Sequence, residues 1–153
     1  MGEKKKILVV EDEWIVADQL CRSLKKFGYR VSLPVSSGAE AIKSIEGERP
    51  DMILMDILLQ GEMDGIETAS LIESRFDIPI IYVTAHTTED FLNRAKLTKP
   101  FGYLSKPFND NEIHSTIKMA LYKHKVDKGL KERHERLERA VKDTIDAIVE
   151  IKN

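Results

Sequence analysis

Ile7-Leu8-Val9-Val10-Glu11-Asp12 runs four aliphatic residues straight into two carboxylates, close to the start of a chain of 153 residues. Four apolar residues in a row, with no polar alternation, suit a strand covered on both faces, as in a parallel sheet flanked by helices. The same form recurs at Met52-Ile53-Leu54-Met55 and Ile80-Ile81-Tyr82-Val83, with a shorter Tyr103-Leu104 further on. Arg30 to Val35 differs, since Ser32 interrupts Val31 and Leu33, and Pro34 has no N–H to give to a ladder. That strand belongs at the margin of the sheet.

Amphipathic stretches separate these runs. From Glu13 to Phe27, the residues Val16, Leu20, Leu24 and Phe27 fall on one stripe and Gly28 supplies a stop. Helix starts are marked by Ser37-x-x-Glu40, Asp64-x-x-Glu67, Thr87-x-x-Asp90 and Asn109-x-x-Glu112, each a capping arrangement. Five strands alternating with five helices predict an α/β fold, a doubly wound five-stranded parallel sheet of flavodoxin-like order 2-1-3-4-5 with right-handed crossovers. A C-terminal helical extension follows it, with the domain expected over residues 1–124 and the extension over 125–153.

Hydrophobic residues make up 42% and charged residues 33% of the chain, enough for a packed core. The 24 basic and 26 acidic residues leave a net charge of -2, which sets up no field for nucleic acid, so no direct nucleic-acid contact is expected. Cys21 is the only cysteine, Met1-Gly2-Glu3-Lys4-Lys5-Lys6 leads directly into a strand, and no apolar stretch is long enough to span a bilayer. A cytoplasmic protein without a membrane partner is the expectation.

In an open parallel sheet ligands sit beyond the carboxyl ends of the strands where the order reverses, here between the first and third strands. Glu11 and Asp12 follow the first strand and Asp56 ends the third, on neighbours about 4.8 Å apart. Like charges this close raise one another's pKa unless a cation offsets them, and an all-oxygen set suits Mg²⁺. Acids also begin helices for the sake of the dipole, and that plainer account serves Glu13. Asp56, however, ends a buried run. Thr84 and Lys106 follow the fourth and fifth strands to the same edge. A carboxylate nucleophile, a cation, a hydroxyl and an ammonium are the parts of phosphoryl transfer.

Ile7 to Asp12, the Asp56 turn, Met63-Asp64-Gly65, Thr84-Ala85 and Lys106-Pro107 together resemble the receiver domain family of two-component response regulators, over about residues 5 to 124. The resemblance implies that Asp56 accepts a phosphoryl group from a histidine kinase or phosphotransfer protein, with Mg²⁺ held by Glu11 or Asp12, Asp56 and the Leu58 carbonyl. It further implies that Lys106 pairs with the phosphoryl group, that Thr84 bonds one of its oxygens, and that Lys106-Pro107 is a cis peptide. Tyr103 matches the aromatic that reorients with Thr84, and reads equally as a strand residue packing on a helix. His86 stands where the family tunes phosphoryl loss, though an exposed loop histidine is the plainer reading. The turn Ile57-Leu58-Leu59-Gln60-Gly61-Glu62 is one residue longer than the common family pattern and lacks its proline. Such a chain is not an enzyme beyond its own phosphorylation and dephosphorylation.

Other classes fit less well. A flavin carrier of this strand order would not put Glu11-Asp12-Glu13 beside a phosphate, and a haloacid-dehalogenase-like phosphatase would want an acid where Leu58 stands. The alternative kept is a scaffolding receiver module of a larger hybrid kinase or phosphodiesterase, acting mainly through dimerisation.

From Asn109 onward there is neither strand nor proline, which predicts one long helix or two. Leu130, Leu137, Thr144 and Ile151 recur every seven residues, Val141 and Ile148 form a second track that His134 weakens, and Gly129 is a point of bending or interruption. Glu132 with Arg136, Glu135 with Arg139, and Glu138 with Lys142 make acid-before-base pairs on the outer face. The stretch either folds onto its own domain or pairs with another chain. A homodimer through the fourth helix, the last strand, the helix from Asn109 or this extension is expected.

Overall fold

A computed structural model describes residues 4–85 and 89–152. Its elements are β1 (Lys6–Val10), α1 (Trp14–Lys26), β2 (Arg30–Val31), α2 (Gly38–Gly47), β3 (Met52–Asp56), α3 (Gly65–Arg75), β4 (Ile80–Thr84), α4 (Glu89–Lys96), β5 (Gly102–Ser105) and α5 (Asp110–Lys152). The strands form one parallel sheet in the order β2-β1-β3-β4-β5, as the alternation of strands and helices predicts.

Continuous apolar strands place alternate residues on opposite faces, and each face has its own core. Ile7, Val9, Met52, Leu54, Ile81 and Val83 pack with Leu20 and Leu24 of α1 and Ile113 and Ile117 of α5. Leu8, Val10, Ile53, Met55, Ile80 and Tyr82 pack with Ile45 of α2, Ile66 and Ile72 of α3, and Ala95 of α4. On α1 the buried face is Ala17, Leu20, Cys21, Ser23 and Leu24, so Val16 and Phe27 of the expected stripe lie at its half-buried borders.

The edge strand is shorter than the sequence suggests. Only Arg30 and Val31 pair with β1, and after the gap made by Ser32 to Pro34 a single bridge joins Val35 to Val10. Pro34 accounts for the gap, because it cannot donate to a ladder. Pairing resumes where N–H groups are again in place: Val35 N–H bonds the Val9 carbonyl and Glu11 N–H bonds the Val35 carbonyl.

Three of the four helix starts are described. Asp64 and Glu67 form a reciprocal capping box, and Asn109 accepts the Glu112 N–H at 2.8 Å. Ser37 accepts the Glu40 N–H, but the Glu40 carboxylate reaches back to the Ser36 N–H, one residue earlier than a capping box would have it. Thr87 lies outside the described residues.

The chain divides into two compact units, Met1–Leu121 and Tyr122–Asn153. The second is helical throughout its described length, and Gly129 does not interrupt the helix. Of one long helix or two, the first is found, because a single glycine weakens a helix without removing a hydrogen bond, unlike proline. Among the described residues no helix is long and apolar enough to cross a membrane.

Candidate functional site

Strand register brings the site together. Val10 pairs with Met55, so the residues that follow them, Glu11 and Asp56, leave the sheet side by side. Asp56 pairs with Val83 and Thr84 with Ser105, which sets Thr84 and Lys106 at the same edge. Backbone bonds hold the exits: Ile57 N–H to the Val83 carbonyl at 3.2 Å, and Lys106 N–H to the Thr84 carbonyl at 2.8 Å.

Glu11, Asp12 and Asp56 each offer a carboxylate oxygen, and these oxygens all lie within 4.8 Å of one another. Asp56 is only 4% exposed, and Glu11 is equally buried. Asp56 Oδ1 accepts the Leu58 N–H at 3.2 Å, while Oδ2 lies 3.8 Å from Lys106 Nζ. Lys106 comes closer to Glu11, at 3.2 Å from Oε1. The second Glu11 oxygen, Oε2, is buried with no hydrogen-bond partner among the described residues.

Burial, then the neighbouring Asp56 charge, pushes the Glu11 carboxyl up to about 7, against the pull of Lys106. Burial also raises Asp56, with Lys106 again opposing. Two buried acids facing one ammonium are short of positive charge, and an orphaned buried oxygen beside them fits a hard divalent cation. The donor set is all oxygen, as Mg²⁺ requires.

Thr84 is buried at the end of β4. Tyr103 is 41% exposed, its ring tilted against Tyr82 with centroids 6.1 Å apart. Lys106-Pro107 is a cis peptide. Leu58 is half-exposed, and His86 lies outside the described residues. A cleft of about 380 Å³ opens beside Lys106, lined by Val16, Gln19, Ala85, Pro107 and Phe108.

Two features went unread in the sequence. Gly65 begins α3 so close to the turn after β3 that a Cβ there would stand 1.9 Å from the Asp56 carbonyl oxygen, while its own N–H bonds the Ile57 carbonyl at 2.9 Å. A glycine at the first helical position, where better helix formers abound, is the signal that marks such a close approach. Asp64, besides capping α3, takes Arg94 of α4 at 2.9 Å. No sequence spacing foretells that pair, which depends on how two helices lie against each other.

Residues 7–118 match the family model of the response regulator receiver domain. The chain is 32% identical over 117 residues to the transcriptional regulatory protein PdtaR of Mycobacterium tuberculosis, an alignment covering 76% of this chain and 57% of that protein. With YvrH of Bacillus subtilis the identity is 34%, covering 78% of this chain and 50% of the other. The chain thus spans little more than half the length of these curated relatives. Among solved structures, the signal receiver domain of a modulated diguanylate cyclase from Desulfovibrio desulfuricans superposes with a TM-score of 0.78 at 37% identity, over 82% of this chain and 99% of that one. The N-terminal domain of a response regulator/sensory box/GGDEF protein from Carboxydothermus hydrogenoformans gives a TM-score of 0.74 at 33% identity, over 80% of this chain and 98% of that one.

Proposed function

The chain belongs to the response regulator receiver domain family, and on that premise we propose that Asp56 accepts a phosphoryl group from the phosphohistidine of a kinase or phosphotransfer protein. The observation that carries this reading is the meeting of Asp56, Glu11, Asp12, Thr84 and Lys106 at one sheet edge, with three carboxylates within 4.8 Å of each other. In the transfer an Asp56 oxygen attacks phosphorus, the donor P–N bond breaks, and the imidazole leaves with its electron pair and takes a proton. Lys106 offsets the charge carried by the phosphoryl oxygens, and the Thr84 hydroxyl donates to one of them. Glu11, Asp12 and Asp56, with the Leu58 carbonyl, would hold Mg²⁺, which when bound neutralises the carboxylates and draws on the phosphoryl oxygens.

The output then follows from local electrostatics. An acyl phosphate adds charge and acceptor oxygens next to β4 and β5, favouring the conformation in which Thr84 and Lys106 both engage it. Tyr103, exposed on β5 against Tyr82, stands where such a shift would be felt. A second reading, a receiver module of a larger signalling protein, draws support from the likeness to receivers of diguanylate cyclase and sensory-box proteins.

Incubation with acetyl phosphate and Mg²⁺, followed by intact mass measurement, tests the assignment. A gain of one phosphoryl group that Asp56→Asn abolishes is expected; no gain, or a gain that survives the substitution, defeats it.

A further inference from the structure

The turn from Ile57 to Asp64 is closed at its base, where Gly65 N–H bonds the Ile57 carbonyl at 2.9 Å. It contains no proline and holds Gly61 at a φ of 114°, so its own residues do little to stiffen it and its ends decide its shape. At the near end, Leu58 N–H bonds Asp56 Oδ1 at 3.2 Å. At the far end stands Asp64. One of its carboxylate oxygens accepts the Glu67 N–H at 2.8 Å and so caps α3, and the other takes Arg94 of α4 at 2.9 Å.

An ion pair at a surface ordinarily contributes little, because both side chains give up freedom to make it. Here neither end is loose. The Asp64 side chain is 22% exposed and already set by the capping box. The last turn of α4 is tied to the sheet: the buried Tyr82 of β4 lies 2.5 Å from Thr98 Oγ1, which lies 2.7 Å from the Ala95 carbonyl. A carbonyl only accepts, so the one Thr98 proton goes to Ala95 and Tyr82 donates to Thr98. Burial pushes the Tyr82 phenol up to about 12, which keeps its proton in place. Ala95, next to Arg94, is fully buried. The contacts close a ring, because Tyr82 pairs with Met55 in the sheet and Met55 leads into Asp56.

We infer that Arg94 is a positioning residue for the Asp56 turn: through Asp64 it fixes the far end of the turn, from a helix that the Tyr82 hydroxyl ties to β4. Coupling of this kind is reciprocal, so a ligand that orders the turn also tightens the hold of Asp64 on α4. The inference rests on the reading of Asp56, Glu11 and Asp12 as a Mg²⁺ site only where Mg²⁺ affinity is measured.

Hydrogen exchange of the full chain in EDTA, read at the Leu58 to Met63 amides, tests it without metal. Asp64→Asn loses the ion pair and keeps the cap, since asparagine caps a helix as well as aspartate. Arg94→Gln and Asp64→Asn should each quicken exchange in the turn about three- to tenfold, and the double variant no further than either alone. Arg94→Lys should restore part of the protection, and Tyr82→Phe should act in the same direction as Arg94→Gln but less. Arg75→Gln, which breaks the exposed pair with Glu46, is the control and should change nothing in the turn. Unchanged exchange in both single variants, or β1 and β3 amides quickened as much as the turn, would overturn the inference. Mg²⁺ affinity by calorimetry adds a difference of sign. Loss of a cation alone would tighten Mg²⁺, whereas Arg94→Gln is expected to weaken it about three- to tenfold because the turn is no longer held. Tighter or equal binding in that variant would also overturn the inference. A parent that binds no Mg²⁺ would defeat the reading of the site instead, and the exchange in EDTA would still decide the role of Arg94.

Discussion

Lys106 Nζ lies 3.2 Å from Glu11 Oε1 and 3.8 Å from Asp56 Oδ2, so the cation leans towards the acid that does not take part directly in the proposed transfer. Glu11 is thus the nearer of the two partners of Lys106. Lys106→Met removes the one ammonium among three carboxylates. The expected outcome is Mg²⁺ bound a few-fold more tightly at pH 8, because more negative charge is left uncompensated, together with phosphorylation by acetyl phosphate slowed by about one to two orders of magnitude. Calorimetry and timed mass spectra measure the two effects, which run in opposite directions.

Crowded acids also set the metal-free stability. Glu11 titrates at about 7 in the fold against 4.5 ordinarily, so between these values the folded chain keeps a proton that the unfolded chain has released. Its contribution to stability is thus present below 4.5 and lost as pH rises to about 7, after which it stays level. Asp56→Asn removes the neighbouring charge and should stabilise the metal-free protein at pH 8 by on the order of 1–3 kcal/mol, with little effect at pH 5. Urea unfolding in EDTA reads the difference, and saturating Mg²⁺ should shrink it.

The same proton must leave when a cation enters. Mg²⁺ affinity should rise about tenfold per pH unit below 7 and flatten above 8, with one proton released per ion bound. Trp14, the only tryptophan, is 74% exposed directly after Glu13 and gives a fluorescence readout for the titration. A pH-independent affinity between 6 and 8 would remove Glu11 from the site.

Gly65 is constrained by distance rather than by dihedral angle. A Cβ there would stand 1.9 Å from the Asp56 carbonyl oxygen and 2.8 Å from Ile57 Cα, both backbone atoms. Gly65→Ala should cost about 3 kcal/mol or more, or displace the Asp56 turn and slow phosphorylation. Gly47→Ala, where a Cβ meets nothing within 4 Å, is the control and should leave both unchanged.

The sheet order was legible because apolar runs of unbroken hydrophobicity, Ile7 to Val10 and Met52 to Met55, leave little choice but burial on both faces. Strand ends then carried Glu11, Asp56, Thr84 and Lys106 to one edge with no knowledge of side-chain packing. What stayed hidden depends on distances between elements: the lean of Lys106 towards Glu11, the bond of Arg94 to Asp64, and the closeness of Gly65 to Asp56. Pro34 was read correctly as an edge signal, but the length of pairing it removes from β2 depends on the local path of the chain. Gly129 left one helix or two open, since a helix interior tolerates one glycine at a modest cost.

The Leu58 N–H reaches only Oδ1 of Asp56, and Lys106 stands on the side of Oδ2. In a free carboxylate the two oxygens exchange places by rotation and are chemically the same atom. Here the turn after β3 gives them separate identities, one anchored to the main chain and the other turned to the ammonium. A bond formed at Asp56 would therefore be made with a chosen oxygen, and the chain would make two atoms unlike that are alike in the free group.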